Sequence, residues 1–206
     1  MDRTLQYLNP MSLDQQSNVA TLRSSLEHAD CSEEGALPRS ERFVDSTGRM
    51  LLVTPYDETH FETLVDFYEQ YPQRHRSMSL PPLARAQIEL WIEKLTDRGR
   101  NILTFDGERV IGHVAYSPRE GSEPELVVFV DDEYHGRGVG TELCKQAIAC
   151  AAADGHDSMK LHVHSGNQGA IHVYESLGFD TVDRNDETLL MRLEIDESVR
   201  DDVCEQ

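Results

Sequence analysis

Apolar positions acquire a usable period only near residue 41. Before it, residues 1–40 are polar and mixed, with helical spacing at Val19, Leu22 and Leu26 but no face wide enough to pack, which predicts a loose N-terminal segment. Arg42-Phe-Val-Asp45 and Arg49-Met-Leu-Leu-Val-Thr54, joined through Ser-Thr-Gly48, predict two short strands around a turn. After Pro55, Asp57 is placed to cap a helix carrying Phe61, Leu64, Val65 and Tyr68, which Pro72 ends. A connector through residues 73–82 leads to a second predicted helix, Leu83 to Leu95, with Ile88, Leu90, Trp91, Ile92 and Leu95.

Asp106-Gly107 between the apolar runs Asn101–Phe105 and Arg109–Tyr116 predicts a hairpin. A turn at Gly121-Ser-Glu-Pro124 precedes a strand from Glu125 to Asp131, and a loop with glycines at 136, 138 and 140 opens into a helix carrying Leu143, Ala147, Ile148 and Ala151. Met159–His164 alternates like a strand. Ser165-Gly-Asn-Gln-Gly169 starts a helix, Ala170 to Leu177, stopped by Gly178. Phe179–Arg184 and Thr188–Ile195 predict two closing strands. The order implies an α/β domain over 41–196, a mixed central sheet of about seven strands flanked by about four helices, followed by an acidic tail at 197–206.

The net charge of −19 excludes the Lys/Arg-rich faces that bind nucleic acid or anionic membranes. Of the 19 basic residues only three are lysine (Lys94, Lys145, Lys160), while acidic residues run the length of the chain. That texture is similar to proteins of salt-loving organisms, where molar salt shortens the Debye length to about 3 Å and screens self-repulsion. Four cysteines without C-x-x-C spacing predict neither a metal site nor a disulfide framework. No apolar run is long enough to span a bilayer and no leader pattern opens the chain, so a cytoplasmic protein is expected.

The stretch Glu125 to Thr141 carries the chemistry. Glycines at alternate positions before a helix let the backbone N–H groups from Gly136 to Thr141 approach an anion such as a pyrophosphate. A dinucleotide loop would follow the first strand and be trailed by an acidic ribose ligand. Here the loop follows a hairpin and the next strand ends in His162-Val-His164.

His135-Gly-Arg-Gly138-Val-Gly140 and the set Asn167, Ala170, Tyr174, Gly178, Phe179 together resemble the two signatures of the GNAT superfamily of N-acetyltransferases, over about residues 41–195. His135 stands where the family usually has Gln or Arg. The resemblance implies acetyl transfer from acetyl-CoA to a primary amine, a protein lysine or N-terminus or a small molecule, without a metal; a homodimer is left open. It implies a cofactor site of Val128, Phe129 and Val130 along the pantetheine, Gly136, Arg137, Gly138, Val139, Gly140 and Thr141 around the pyrophosphate, and Asn167 and Tyr174 beside them. Glu125 and His162 are alternative general bases, and Tyr174 is the expected acid for the leaving thiolate. The first two helices and residues 185–187 would wall the acceptor, with Arg74-His-Arg76 nearby. A module of the same fold that binds acyl-CoA as a sensor, without turnover, is the other reading.

Overall fold

Residues 40–72, 81–117 and 123–196 are described by the computed structural model. Nearly all of the expected N-terminal segment, the Arg74-His-Arg76 connector, the first half of the Gly121–Pro124 turn and the acidic tail lie outside them. Strands β1 (Glu41–Val44) and β2 (Met50–Pro55) form the first hairpin. Asp57 caps a 3-10 turn, Glu58–His60, that runs into α1 (Phe61–Gln70), and α2 follows at Arg85–Arg98. Asp106-Gly107 joins β3 (Arg100–Asp106) to β4 (Arg109–Ser117) with Gly107 at φ +62°, as the dipeptide predicts. Then come β5 (Glu125–Val130), α3 (Val139–Ala153), β6 (Ser158–His164), α4 (Gln168–Ser176), β7 (Asp180–Arg184) and β8 (Thr188–Glu194).

All eight strands join one sheet in the order β1-β2-β3-β4-β5-β6-β8-β7, one more than the expected count of about seven, and β1 pairs along its whole length with β2. Every neighbouring pair is antiparallel except β5 and β6. Helices cover both faces. On β5 the alternation is explicit: Leu126, Val128 and Val130 pack toward Leu143, Ala147 and Ile148 of α3, whereas Val127 and Phe129 pack toward Leu64 and Tyr68 of α1 and Ile88 and Ile92 of α2. Each fully buried Leu or Ile in these layers contributes about 1.5–3 kcal/mol. Among the described residues no helix is long and apolar enough to cross a membrane.

Two features position the site. Gly112 on β4 lets α3 lie close: a Cβ there would meet Leu143 Cδ1 at 2.9 Å and Val139 Cγ1 at 3.3 Å. The parallel pair β5/β6 closes only at its start, with Glu125 opposite Lys160 and the Lys160 amide donating to the Pro124 carbonyl at 3.0 Å; beyond that point the strands part.

Candidate active site

The β5–β6 gap exposes a defined half of the β5 backbone. Asp131 N–H donates to the Ile111 carbonyl at 2.9 Å, and the β4–β5 register pairs His113 with Phe129. Antiparallel pairing therefore turns the main-chain groups of 127, 129 and 131 toward β4, and those of Leu126, Val128 and Val130 toward the gap. Of the run Val128-Phe129-Val130, only the two valines offer main-chain groups to a ligand there. Phe129 instead anchors an aromatic cluster, with the rings of Tyr68, Tyr71 and Trp91 edge-on to it at centroid distances of 5.3, 5.6 and 5.7 Å.

At the end of β5 the chain turns through Asp132–Tyr134, where the Asp131 side chain accepts from the Glu133 amide. His135 Nε2 lies 2.9 Å from the Val130 carbonyl, placing its ring against the last residue of the strand. Gly136 (φ +70°) and Gly138 (φ +90°) then adopt left-handed backbone that an L side chain disfavours, with open space where a Cβ would sit. Gly140 is different: it lies inside α3, and a Cβ would make only ordinary contact with Val130 at 3.7 Å. The first helical hydrogen bond runs from Glu142 N–H to the Gly138 carbonyl, so the amides of Val139, Gly140 and Thr141 form the free first turn of a 15-residue helix. Val139 is fully buried, main chain included, so of these three amides those of Gly140 and Thr141 are the ones a ligand can reach. The Arg137 side chain turns aside, onto Asp45.

Glu125 and His162, alternatives in the sequence, come together: Glu125 Oε1 is 2.9 Å from His162 Nδ1, with the two side chains 42% and 34% exposed. Parallel pairing of their strands at Glu125 and Lys160 makes the contact. Both lie at the mouth of the gap, on strand faces turned away from α3. His164 shares that face of β6 and is exposed.

Tyr174 packs on Phe179 at 5.9 Å, against the α3 core. Burial pushes its phenol well above the ordinary tyrosine range, and the Cys144 thiol and the Tyr71 phenol add to the rise. Tyr71 belongs to the opposite core, so the two phenols come from opposite faces of the sheet. Asn167 caps α4, its side-chain oxygen accepting from the Ala170 amide at 3.2 Å.

Sequence patterning missed a buried polar chain beneath the aromatic cluster. Tyr68 Oη lies 2.5 Å from His113 Nδ1, His113 Nε2 lies 3.0 Å from Asn101 Oδ1, and the Asn101 amide donates to the Leu95 and Gly99 carbonyls. All its members can be satisfied in one sense: Tyr68 donates to Nδ1 and a neutral His113 donates from Nε2. Burial drives the His113 pKa down to about 3, consistent with that neutral form. A histidine inside the apolar run Val110–Tyr116 was the available signal.

The model of the acetyltransferase (GNAT) family matches residues 61–179, which takes in the parted strands, the glycine loop and α4. The chain belongs to the GNAT family. Among curated relatives of this GNAT chain, the mycothiol acetyltransferase of Thermobispora bispora is 34% identical over 108 residues, covering 50% of this chain and 36% of that protein. The chain spans less than two thirds of the length of the curated relatives it matches first. Among solved structures, the GNAT domain of S. lividans PAT superposes with a TM-score of 0.65 at 21% identity, over 76% of this chain and 97% of that domain. The yncA protein of Salmonella typhimurium, solved with its cofactor acetyl-CoA, superposes at 0.58 and 17% identity, over 71% and 95%. At these identities the two structures show a shared fold.

Proposed function

We propose that this GNAT chain transfers an acetyl group from acetyl-CoA to a primary amine by direct attack in a ternary complex. The observation that carries the reading is the Glu125–His162 pair at the mouth of a strand gap that leads to a left-handed glycine loop. The amides of Gly140 and Thr141, at the positive end of α3, suit the pyrophosphate. The outward main-chain groups of Val128 and the N–H of Val130, whose carbonyl His135 occupies, suit the pantetheine amides in the manner of an added strand, and the Val128 N–H is placed to polarise the thioester carbonyl.

With a proton on Nδ1 shared with Glu125, His162 keeps Nε2 as the basic nitrogen, in the arrangement by which a carboxylate orients an imidazole. A primary amine is mostly protonated near neutral pH and must lose a proton before attack. His162 takes that proton. The nitrogen bonds to the thioester carbon, the carbonyl oxygen gains charge against the Val128 amide, and the C–S bond then breaks. Tyr174, held protonated by its burial, donates to the departing thiolate; the nitrogen sheds its second proton to water as the amide forms, and water returns a proton to the Tyr174 oxygen. Asn167 holds the start of α4 beside it.

Protein lysines and N-termini are the first acceptors to test, because the pair lies on an open strand face with Lys160 and His164 beside it. Small amines come next, because a relative is named for mycothiol. Free thiol released from acetyl-CoA, measured against a panel of both in high salt, tests the reading. Tight acetyl-CoA binding with no release for any amine overturns it in favour of a sensor.

A further inference from the structure

Arg137 sits between the two left-handed glycines, where a cation would be expected to reach for phosphate. It is engaged elsewhere. Its Nε donates to Asp45 Oδ2 at 2.7 Å and its Nη2 bonds the same oxygen, while Nη2 also reaches Thr47 Oγ1 and Nη1 the Glu133 carbonyl, both at 3.3 Å. The guanidinium lies 4.3 Å over the Tyr134 ring. Tyr134 in turn donates to Asp106, which pairs with Arg49 at 2.7 Å. The Ser46 amide donates to the Arg137 carbonyl at 3.2 Å, so the β1–β2 turn grips the loop by main chain as well as side chain.

Asp45 is built for the task. Its side chain is 0% exposed, and its other oxygen accepts from the Thr47 amide at 2.9 Å, the Thr47 hydroxyl at 2.7 Å and the Arg49 amide at 3.0 Å. Both carboxylate oxygens are therefore committed, and the pair is covered rather than surface-exposed, the condition under which losing one partner is costly. A loop with two residues in left-handed backbone gains conformational entropy when loosened, and its amides must be ordered again to bind an anion.

We propose that Asp45 is a positioning residue for the cofactor cradle: by holding Arg137 against the β1–β2 turn, it fixes the glycine hinges on either side and keeps the first-turn amides of α3 aimed at the pyrophosphate. The anion is then met by backbone dipoles, and the cation of the loop is spent on geometry. This rests on the reading of the loop as an acetyl-CoA site.

The experiment compares CoA, which carries the pyrophosphate, with S-acetyl-pantetheine, which lacks it. Asp45→Asn is expected to raise the CoA Kd about tenfold, the scale of re-ordering a loosened loop, and to leave kcat/KM with the short donor unchanged. Arg137→Gln should raise the CoA Kd by the same factor, and the double variant by no more than either single, as two halves of one contact require. Tighter CoA binding by Asp45→Asn, meaning that a released Arg137 reaches the phosphates, overturns the proposal. So does an equal loss with the short donor, which marks a general structural role. Melting curves of both variants show whether the fold is kept, and Thr47→Ala, which removes a hydroxyl from Asp45 but keeps the ion pair, should show a smaller effect on CoA in the same direction. A wild-type chain that does not bind CoA overturns the acetyltransferase reading itself, and the positioning role with it.

Discussion

Glu125 and His162 stand 37 positions apart and share one hydrogen bond. If they act as a unit, Glu125→Gln and His162→Asn should each lower kcat by about 100-fold, and the double variant should be no worse than the more damaged single. Steady-state kinetics with saturating acetyl-CoA checks this; fully multiplicative losses would mean two independent roles. Tyr174→Phe should also lower kcat about 100-fold while the acetyl-CoA Kd stays within twofold, because the ring packing on Phe179 survives without the hydroxyl. His113 bears on stability. Its folded pKa of about 3 lies below the ordinary 6.5, so below pH 6.5 the unfolded chain takes up a proton that the folded chain refuses. Stability should therefore fall with pH by about 1.4 kcal/mol per unit from 6.5 toward 3. Urea midpoints at pH 6.5, 5.5 and 4.5 should show a shallower slope for His113→Gln, whose amide can both accept from Tyr68 and donate to Asn101. Both base candidates were legible as residues, since each ends or opens an apolar strand pattern. Their contact was not, because it depends on how β6 registers against β5 after a whole intervening helix, and local periodicity carries no register between distant strands.

At the level of elements, the loop, α3 and β4 behave as one unit. Gly112→Ala should push Leu143 and Val139 away, costing about 1–3 kcal/mol as overpacking does. Because Val139 begins α3 and lies in the loop, the CoA Kd should rise with the fall in Tm; an unchanged Kd at lowered Tm would show that α3 adjusts without moving its N-terminus. The other end of α3 is fastened by Asp154, which accepts from Tyr116 Oη at 2.6 Å and Arg100 Nε at 2.9 Å. Most elements could be read from the sequence, because Asp106-Gly107, Gly178 and the 3.6-residue spacing in α3 each have a local cause. The role of Arg137 could not. Placed between glycines beside an anion site it reads as a phosphate ligand, and only the packing of β1 and β2, remote in the chain, brings Asp45 to it. His135 was legible as a departure from the family pattern, but its place against the Val130 carbonyl depends on the 3-10 turn between them.

For the whole molecule, a net charge of −19 means that like charges repel over most of the surface. Salt bridges offset some of this locally, as where Arg85 meets Glu62, Asp66, Glu69 and Glu89 between α1 and α2. That single cation faces four carboxylates. Added salt should therefore stabilise the fold by screening the excess. Thermal melts from 0.05 M to 1 M and above are expected to show Tm rising; a falling Tm would show that ion pairs outweigh repulsion.

The parting of β5 from β6 has one more consequence, for the protein before any ligand arrives. Half a strand of outward amides in the middle of a sheet is an unpaired edge, open to solvent and to any extended segment that can lie along it. The amides of Val128 and Val130 should exchange with deuterated water much faster than those of Val127 and Phe129, which are tied to β4, and should slow sharply when CoA fills the gap. The same edge is where an empty molecule is most exposed to unwanted strand addition by its neighbours, so a cofactor bound along it would also shield the chain from self-association.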